Sequence, residues 1–246
     1  MKRQNILVPN NLSEITLGQY QRFARINEKE ENEKVLERKM IEIFCSIDAE
    51  NVKKIEYKSL KKIVVLLSDV INKKPELVKR FKIDKQEFGF IPKLDDMSFG
   101  EFVDLDTSLA DWDTMHLAMG VLYRPIKNKL LDTYTVNEYK PEDEINMKEM
   151  PLDAALSAIF FFDRFRERIN ESYSQLFSTA DSGMDSTAEG AFAEQYGWYS
   201  SIYAIAKGDL TKFDQVTKLN IHSCFTFLSF EKQKLEIEGK RIKNAR

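Results

Sequence analysis

The sequence predicts a mainly α-helical fold with a small β element, an α+β protein whose C-terminal half is a helical bundle. Apolar residues recur every three or four positions in several segments, which is the period of a helix with one buried face. Only a few short runs have the composition of strands. Glycines (9) and prolines (6) are too few for the many turns of a sandwich or barrel, or for a glycine-rich nucleotide-binding fold.

A phrase that occurs twice predicts how two of the helices begin. The copies run from Leu12 to Phe23 and from Leu94 to Leu105, and a short apolar run ending in proline precedes each. In both copies a hydroxyl residue, Thr16 or Ser98, is followed three positions later by Gln or Glu, which is the spacing of a capping box. We expect matching local geometry at the two sites. The alternative is that two unrelated capped helices converged by chance.

Each copy of the phrase also contains a glycine in the first helical turn. Gly18 and Gly100 stand two positions after the capping residue. Glycine inside a helix is roughly 0.5–1 kcal/mol less favourable than alanine. Because glycine stands at this position in both copies despite its cost, we expect another part of the backbone to approach closely at both sites.

Residues 1–150 are predicted to form an N-terminal module that mixes helices with a small sheet and contains both copies of the phrase. Apolar periodicity predicts further helices over Leu36–Ile47, Leu60–Ile71 and Leu109–Tyr123. Phe81–Ile83 and Glu87–Ile91 have the pattern of a hairpin. Ile6–Val8 is expected to lie beside Phe88–Ile91 in the same sheet.

Residues 151–246 are predicted to form a C-terminal helical module. Pro151 suits the first turn of a helix, where a missing N–H is no loss. Ser178–Gly190 is rich in turn-forming residues and is predicted to be a flexible loop, followed by a helix from about Ala191. The last helix is expected to begin near Asn220 and to be apolar on two faces, so that it is either buried between layers or open to a partner.

Charge and composition narrow the class of protein. The formal net charge of -3 gives no bulk basicity, so we expect no nucleic-acid partner. Ala154–Phe162, the most apolar stretch, is about half of what a bilayer span needs, and no signal peptide is evident. Cys45 and Cys224 lie in apolar helical patterns and are expected to be buried free thiols in a reducing compartment. These features predict a soluble cytoplasmic protein without a membrane partner.

No motif predicts catalytic, cofactor-binding or metal-binding residues, so we expect a protein that is not an enzyme. His116 and His222 are the only histidines, and His222 and Cys224 are two positions apart, so on a helix they point in roughly opposite directions. The acidic cluster from Asp104 to Asp113 lacks the glycine and glutamate of a calcium-binding loop. Two readings stay open for it: a divalent-ion site, or aspartates that complement the dipole of the next helix.

Four segments carry a family resemblance. They are Phe99–Asp106, Met119–Pro125, Pro151–Phe162 and Ile202–Asp209. They resemble segments of tailed-bacteriophage morphogenesis proteins, and the C-terminal order of a helix, Gly-Asp, a second helix and an aromatic helix with a charged end is similar to phage tail assembly chaperones. The resemblance implies a non-enzymatic protein that binds apolar segments of a tail or virion protein in the host cytoplasm. A virion component such as a connector is the first alternative, because the N-terminal module makes this chain longer than most such chaperones. A phage enzyme is the second.

Exposed aromatic side chains are the predicted partner-binding residues. They are Phe160, Phe161, Phe225, Phe227 and Phe230. At 100° per residue the last three cannot share one face of a helix, so some of these rings are expected to be covered by a partner, a second copy of the chain included, or by the Phe160–Phe162 segment of the same chain. The alternative is that all of them belong to a core within one chain.

Overall fold

The computed structural model describes residues 6–131, 133–141, 145–177 and 196–244. The chain is 62% helical and contains one small antiparallel sheet of four strands, which confirms the predicted fold class. The predicted loop Ser178–Gly190 and the predicted helix start near Ala191 lie outside the described residues.

The helices and strands of the described residues follow in chain order. The helices are α1 (Leu17–Asn27), α2 (Glu33–Phe44), α3 (Ala49–Val52), α4 (Tyr57–Ile71), α5 (Phe99–Leu109), α6 (Met115–Leu122), α7 (Leu152–Ser172), α8 (Ser174–Phe177), α9 (Trp198–Ile205), α10 (Phe213–Thr217) and α11 (Ile221–Asn244). The strands are β1 (Arg80–Ile83), β2 (Gln86–Phe90), β3 (Tyr123–Leu130) and β4 (Thr133–Val136). Short 3-10 turns precede several helices, at Leu12–Glu14, Leu94–Asp96, Met147–Glu149 and Leu210–Lys212.

The sheet is an antiparallel meander in the order β1-β2-β3-β4. The predicted β1–β2 hairpin is confirmed, with Phe81 paired to Phe88. The prediction that Ile6–Val8 joins this sheet is wrong, because β3 occupies the place beside β2, with Tyr123 paired to Phe90. The chain enters β3 directly from α6, and the N–H of Ile91 donates to the carbonyl of Leu122 (2.9 Å), so β3 is already aligned with β2 where it begins.

The chain packs as two compact units. Unit 1 comprises Met1–Pro92 and Leu105–Phe161, and unit 2 comprises Lys93–Asp104 and Phe162–Arg246, so α5 and α7 contribute residues to both. This partition does not follow the modules 1–150 and 151–246, which stay a prediction from the sequence. The largest fully buried side chains of unit 1 are Tyr123, Ile15, Leu17, Ile41, Leu67, Leu105, Met119 and Leu122. Those of unit 2 are aromatic: Phe99, Phe102, Phe162 and Phe225.

In unit 1, the first copy of the phrase forms its capping box and docks on the chain that leads into α7. The N–H of Thr16 donates to the Gln19 side chain (2.8 Å), and the Thr16 hydroxyl accepts from the N–H of Gln19 (3.2 Å). Thr16 also forms an isolated antiparallel bridge with Pro151. In this bridge the N–H of Leu17 donates to Met150 O (2.9 Å). The start of α1 is thereby fixed to the start of α7.

In unit 2, the second copy repeats this arrangement against the chain that leads into α11. The N–H of Ser98 donates to the Glu101 carboxylate (2.6 Å), and the Ser98 hydroxyl accepts from the N–H of Glu101 (3.3 Å). Ser98 forms an antiparallel bridge with Asn220, and the N–H of Phe99 donates to Leu219 O (2.8 Å). The matching geometry predicted for the two copies is therefore confirmed, and each copy fixes the start of a long later helix.

Both glycines of the repeated phrase lie in close contact, as the sequence predicted. A Cβ on Gly18 would lie 3.1 Å from both the Cβ and the carbonyl oxygen of Lys148. A Cβ on Gly100 would lie 2.9 Å from the Cβ of Thr217 and 3.1 Å from its carbonyl oxygen. Real Cβ atoms are tolerated poorly at such distances when the neighbour is backbone, so glycine allows the docked segment to approach.

Candidate partner-binding surface

The first three turns of α11 pack into the aromatic core of unit 2. The ring of Phe225 is fully buried, with centroids 5.5 Å from Phe102, 5.3 Å from Tyr173 and 6.0 Å from Trp198. Phe225 was predicted to be a partner-binding residue, but its own unit covers the ring completely, so it is part of the core and not of a surface. Phe227, two positions on, is half-buried.

The second half of α11 exposes large apolar side chains. We call residues 230–244 the distal segment. Four of its side chains are more than half exposed: Phe230 (61%), Leu235 (64%), Ile237 (52%) and Ile242 (61%). At 100° per residue, Leu235 and Ile242 lie on one side of the helix, whereas Phe230 and Ile237 lie on the opposite side. A helix that is apolar on opposite sides is suited to burial on both.

Among the described residues, the side-chain hydrogen bonds that attach the distal segment to the rest of unit 2 lie near its beginning. Lys232 and Gln233 donate hydrogen bonds to Gln175, just after α7 ends. From Glu236 to Arg241, no side chain makes an ion pair or a side-chain hydrogen bond with any residue that the structure describes. Lys240 and Arg241 lie in the last two turns of α11, beside its exposed apolar side chains, where their charges suit the negative end of the helix dipole.

Phe160 and Phe161 lie on α7 within unit 1. Both rings are partly exposed, 42% and 43% respectively. Phe161 packs its ring edge to face with Phe90 of β2, with centroids 5.5 Å apart, and the Lys74 ammonium lies 6.0 Å from the centre of the Phe160 ring. Both residues remain available to a partner, and their role in binding one stays a prediction.

A polar cluster that the sequence did not reveal holds the start of α11. The Arg168 guanidinium donates to both carboxylate oxygens of Asp95 (2.9 and 3.0 Å), and Asp95 Oδ1 lies 3.1 Å from His222 Nε2. The other ring nitrogen of His222 lies 3.0 Å from the Tyr173 hydroxyl. Asn220 caps the helix by accepting from the N–H of His222 (2.9 Å). The cluster joins three separate segments of unit 2, and the only sequence signal for it was the Asn-x-His spacing at the helix start.

The cluster is suited to positioning the start of α11. Asp95 and Arg168 are more than half exposed in their side chains, so their pairing is screened by water. The Asp95 carboxylate accepts from Arg168, and no hydroxyl or thiol nucleophile other than the Tyr173 phenol lies within hydrogen-bonding distance of His222 among the described residues. The most direct consequence is that these contacts join the start of α11 to the end of α7.

Two aspartates of the acidic cluster make structural interactions. The Asp113 carboxylate pairs with Arg25, and the Asp111 carboxylate accepts from the N–H of Asp113 (2.8 Å) in the turn before α6. Within the described ranges, no group of three or more His, Cys, Asp or Glu side chains is arranged to hold a metal ion. These contacts account for Asp111 and Asp113 at the start of α6.

Burial shifts the acid–base behaviour of both thiols. Cys45 and Cys224 are free and buried, as predicted. Desolvation disfavours the thiolate and raises the pKa of each from 9.0 to about 11. On the surface of unit 2, hydrogen bonds from Thr211 and Lys212 lower the pKa of Asp209 to about 2, which keeps this helix-capping carboxylate ionised.

Comparison with known proteins gives no relative. No family model, no curated protein and no solved structure matches this chain. In the part of the chain that the structure describes, no helix combines the length and the apolar character needed to cross a bilayer.

Proposed function

We propose that this protein acts in tailed-phage assembly as a non-enzymatic tail assembly chaperone, which binds an apolar segment of a tail protein in the host cytoplasm. The observation that carries the proposal is the distal segment of α11. Its four exposed apolar side chains lie on a helix whose base is fixed by an aromatic core and a polar cluster. A helix that is fixed at its base and exposes apolar side chains matches the helix-in-groove mode of protein recognition.

The size of this surface favours reversible binding. Burying one Leu, Ile or Phe side chain completely contributes about 1.5–3 kcal/mol, so four that are now some three-fifths exposed would contribute roughly 4–7 kcal/mol. Association itself costs on the order of 4–15 kcal/mol in lost freedom. The distal segment alone therefore at best offsets the cost of association, so a complex needs further contacts and is expected to be reversible.

The four segments that resemble phage morphogenesis proteins support the same class of function. One of them, Pro151–Phe162, contains the start of α7 and the exposed rings Phe160 and Phe161. Another, Ile202–Asp209, lies at the end of α9, before the short helix that leads into α11. Of the four segments, Pro151–Phe162 therefore contributes candidate binding residues directly.

Co-expression tests the proposal. The chain would be produced together with each tail protein encoded by its own genome, and soluble complexes would be quantified. The double variant Phe230→Asp, Ile237→Asp should keep its melting temperature and lose the complex, because a carboxylate costs little in water but much in an apolar contact. Thr226→Asp is the control for a carboxylate on this helix, since it adds one at an exposed position nearer the helix start. The proposal fails if no tail protein is bound, or if the double variant binds as the wild type does.

A retained virion component is the second candidate. Unit 1 has its own apolar core and sheet, which a chaperone acting through α11 does not need. Quantitative mass spectrometry of purified virions distinguishes the two roles. A fixed copy number per particle indicates a structural component, and absence from the particle indicates a chaperone.

A further inference from the structure

The two apolar sides of the distal segment differ in charge. At 100° per residue, the part of residues 230–244 that lies within about 70° of the midpoint between Phe230 and Ile237 contains three cations and no acid. We call this surface the basic side. Its cations are Lys234, Lys240 and Arg241. A partner that covers the basic side must be apolar and must also supply negative charge.

The surface around the other two apolar side chains is acidic. Glu231 and Glu238 lie on one flank, within about 50° of the midpoint between Leu235 and Ile242. We call this surface the acidic side. Lys232 lies on its other flank, where the ammonium donates to a backbone carbonyl of unit 2. The acidic side therefore suits a partner that is apolar and basic.

We propose that α11 packs on α11 of a second copy of this chain, with the basic side of one helix against the acidic side of the next. Each side supplies the charge that the other needs. The apolar spacings match as well, since the two exposed apolar side chains on each side stand seven residues apart. The contact covers all four of these side chains, one pair from each helix.

The charges also select the relative direction of the two helices. When parallel helices face each other, the flank that carries Lys234 and Arg241 meets the flank of the second copy that carries Glu231 and Glu238. With the helices level, each cation is three residues, or about 4.5 Å along the axis, from a glutamate, which long side chains can span. In an antiparallel pair the same two cations would meet the flank of Lys232. Parallel packing is therefore favoured.

A two-fold dimer through one side is disfavoured. Two basic sides facing each other would bring together cations alone, and two acidic sides would leave Phe230 and Ile237 uncovered. Because the proposed contact joins two different surfaces, each added copy presents one free side, and addition continues until a ring closes or a filament forms. The two sides are roughly 140° apart around the helix, which is too wide an angle for a compact bundle of three or four helices.

The contact is weak and does not rest on the proposed function. One helix face on another buries less than the roughly 1,200 Å² of a stable interface, so association is expected at concentrations on the order of 100 µM. The free chain is then monomeric in dilute solution. A tail protein that binds the distal segment would compete with the neighbouring copy, since both cover the same side chains.

Sedimentation equilibrium from about 5 to about 500 µM brackets the expected dissociation constant. The wild type should pass from the monomer to a weight-average mass above that of a dimer, because addition does not stop at two copies. Lys58→Glu, Lys62→Glu is the control, since it reverses two exposed cations on α4 and should associate as the wild type does. A wild type that stays monomeric, or that stops at a dimer, overturns the proposal.

Reversal of the charges tests the contact itself. Lys234→Glu, Arg241→Glu gives a chain with two acidic sides, and Glu231→Lys, Glu238→Lys gives a chain with two basic sides. Each variant alone should associate at least about tenfold more weakly than the wild type, because like charges meet. An equimolar mixture should recover the association, since each variant supplies the side that the other has lost. Recovery also shows that both variants are folded.

The mixture decides the proposal independently of the tail protein. A mixture that does not recover association, or either variant alone associating as the wild type does, shows that the two sides do not pair and overturns the proposal. Recovery in the mixture supports it even if no tail protein is bound, in which case only the proposed function fails. Binding of a tail protein by a chain that never self-associates supports the proposed function and overturns this inference.

Discussion

Gly100 lies so close to Thr217 that a Cβ on the glycine would stand 2.9 Å from the Cβ of the threonine. This contact brings the start of α5 against the segment that leads into α11, and it allows the bridge between Ser98 and Asn220 to form. The corresponding contact in unit 1 joins Gly18 to Lys148. Each unit thus uses the same device, a capped helix start with a glycine contact, to set the start of a long helix.

Alanine at these glycines should destabilise the fold, although alanine is the better helix former. Gly100→Ala and Gly18→Ala should each lower the free energy of unfolding by about 1–3 kcal/mol, because an inserted methyl group meets backbone that cannot yield. Gly239→Ala and Gly120→Ala are matched controls, since a Cβ at either has nothing within 4 Å. The controls should be neutral or stabilising by up to about 1 kcal/mol. Urea denaturation measures all four, and equal losses in variants and controls would contradict the close-approach account.

Removal of either capping hydroxyl should weaken the start of one helix. Thr16→Ala and Ser98→Ala should each cost about 1 kcal/mol, because one N–H at the helix start loses its acceptor. Thr226→Ala makes a comparable change at an exposed position in the second turn of α11, where it should be neutral or slightly stabilising. Unchanged urea midpoints for both capping variants would show that the boxes contribute nothing to stability.

The Asp95 cluster should contribute modestly to the stability of the fold, and the neighbouring Asp96 should contribute less. Asp95→Ala removes the acceptor shared by Arg168 and His222 and should destabilise by about 1 kcal/mol, because the pairing is partly exposed. Asp96→Ala is the control, since the nearest ammonium, that of Lys93, is 3.8 Å away and both side chains are exposed. The difference between the two variants should shrink in high salt. If Asp96→Ala were as unstable as Asp95→Ala, the cluster would not be the cause of the lost stability.

Stability should fall in alkali because of the buried thiols. The pKa of Cys45 and of Cys224 is about 11 in the folded state and 9.0 ordinarily, so the unfolded chain releases these protons at lower pH. The stabilisation is complete below pH 9.0 and is lost as the pH rises towards about 11. Burial raises the pKa of Tyr123 in the same direction. Melting temperatures measured between these limits should decline, and less steeply in a Cys45→Ala, Cys224→Ala variant. A flat profile would contradict the shifts.

Local features of the fold were predictable from the sequence because their determinants are close together in the chain. The capping boxes need residues three positions apart, and the hairpin β1–β2 needs two short runs with a turn between them. Even the close contacts of Gly18 and Gly100 could be inferred, since the same costly residue stands at the same place in two capped helices. The segment that each glycine contacts could not be inferred, because the two contacted segments, Met147–Leu152 and Val216–Ile221, share few residue types.

Features that depend on distant residues were missed or misplaced. β3 was not predicted because Pro125 and three basic residues hide its strand pattern, and its pairing with β2 is non-local. The Asp95 cluster draws on three segments that have no shared spacing. Phe225 was placed on a surface because an aromatic stripe has the same period whether it faces a core or a partner. Only packing shows that Phe225 is enclosed and that Phe230 is exposed.

Hydrogen exchange along α11 tests the central claim most directly. In the free protein, amides of the distal segment should exchange much faster than those around Phe225, because few contacts beyond Gln233 hold that half of the helix. In the complex with the tail protein of the same genome, exchange should slow in residues 230–244 of the wild type and remain fast in the Phe230→Asp, Ile237→Asp variant. A bound tail protein that leaves exchange in the distal segment unchanged would contradict the account.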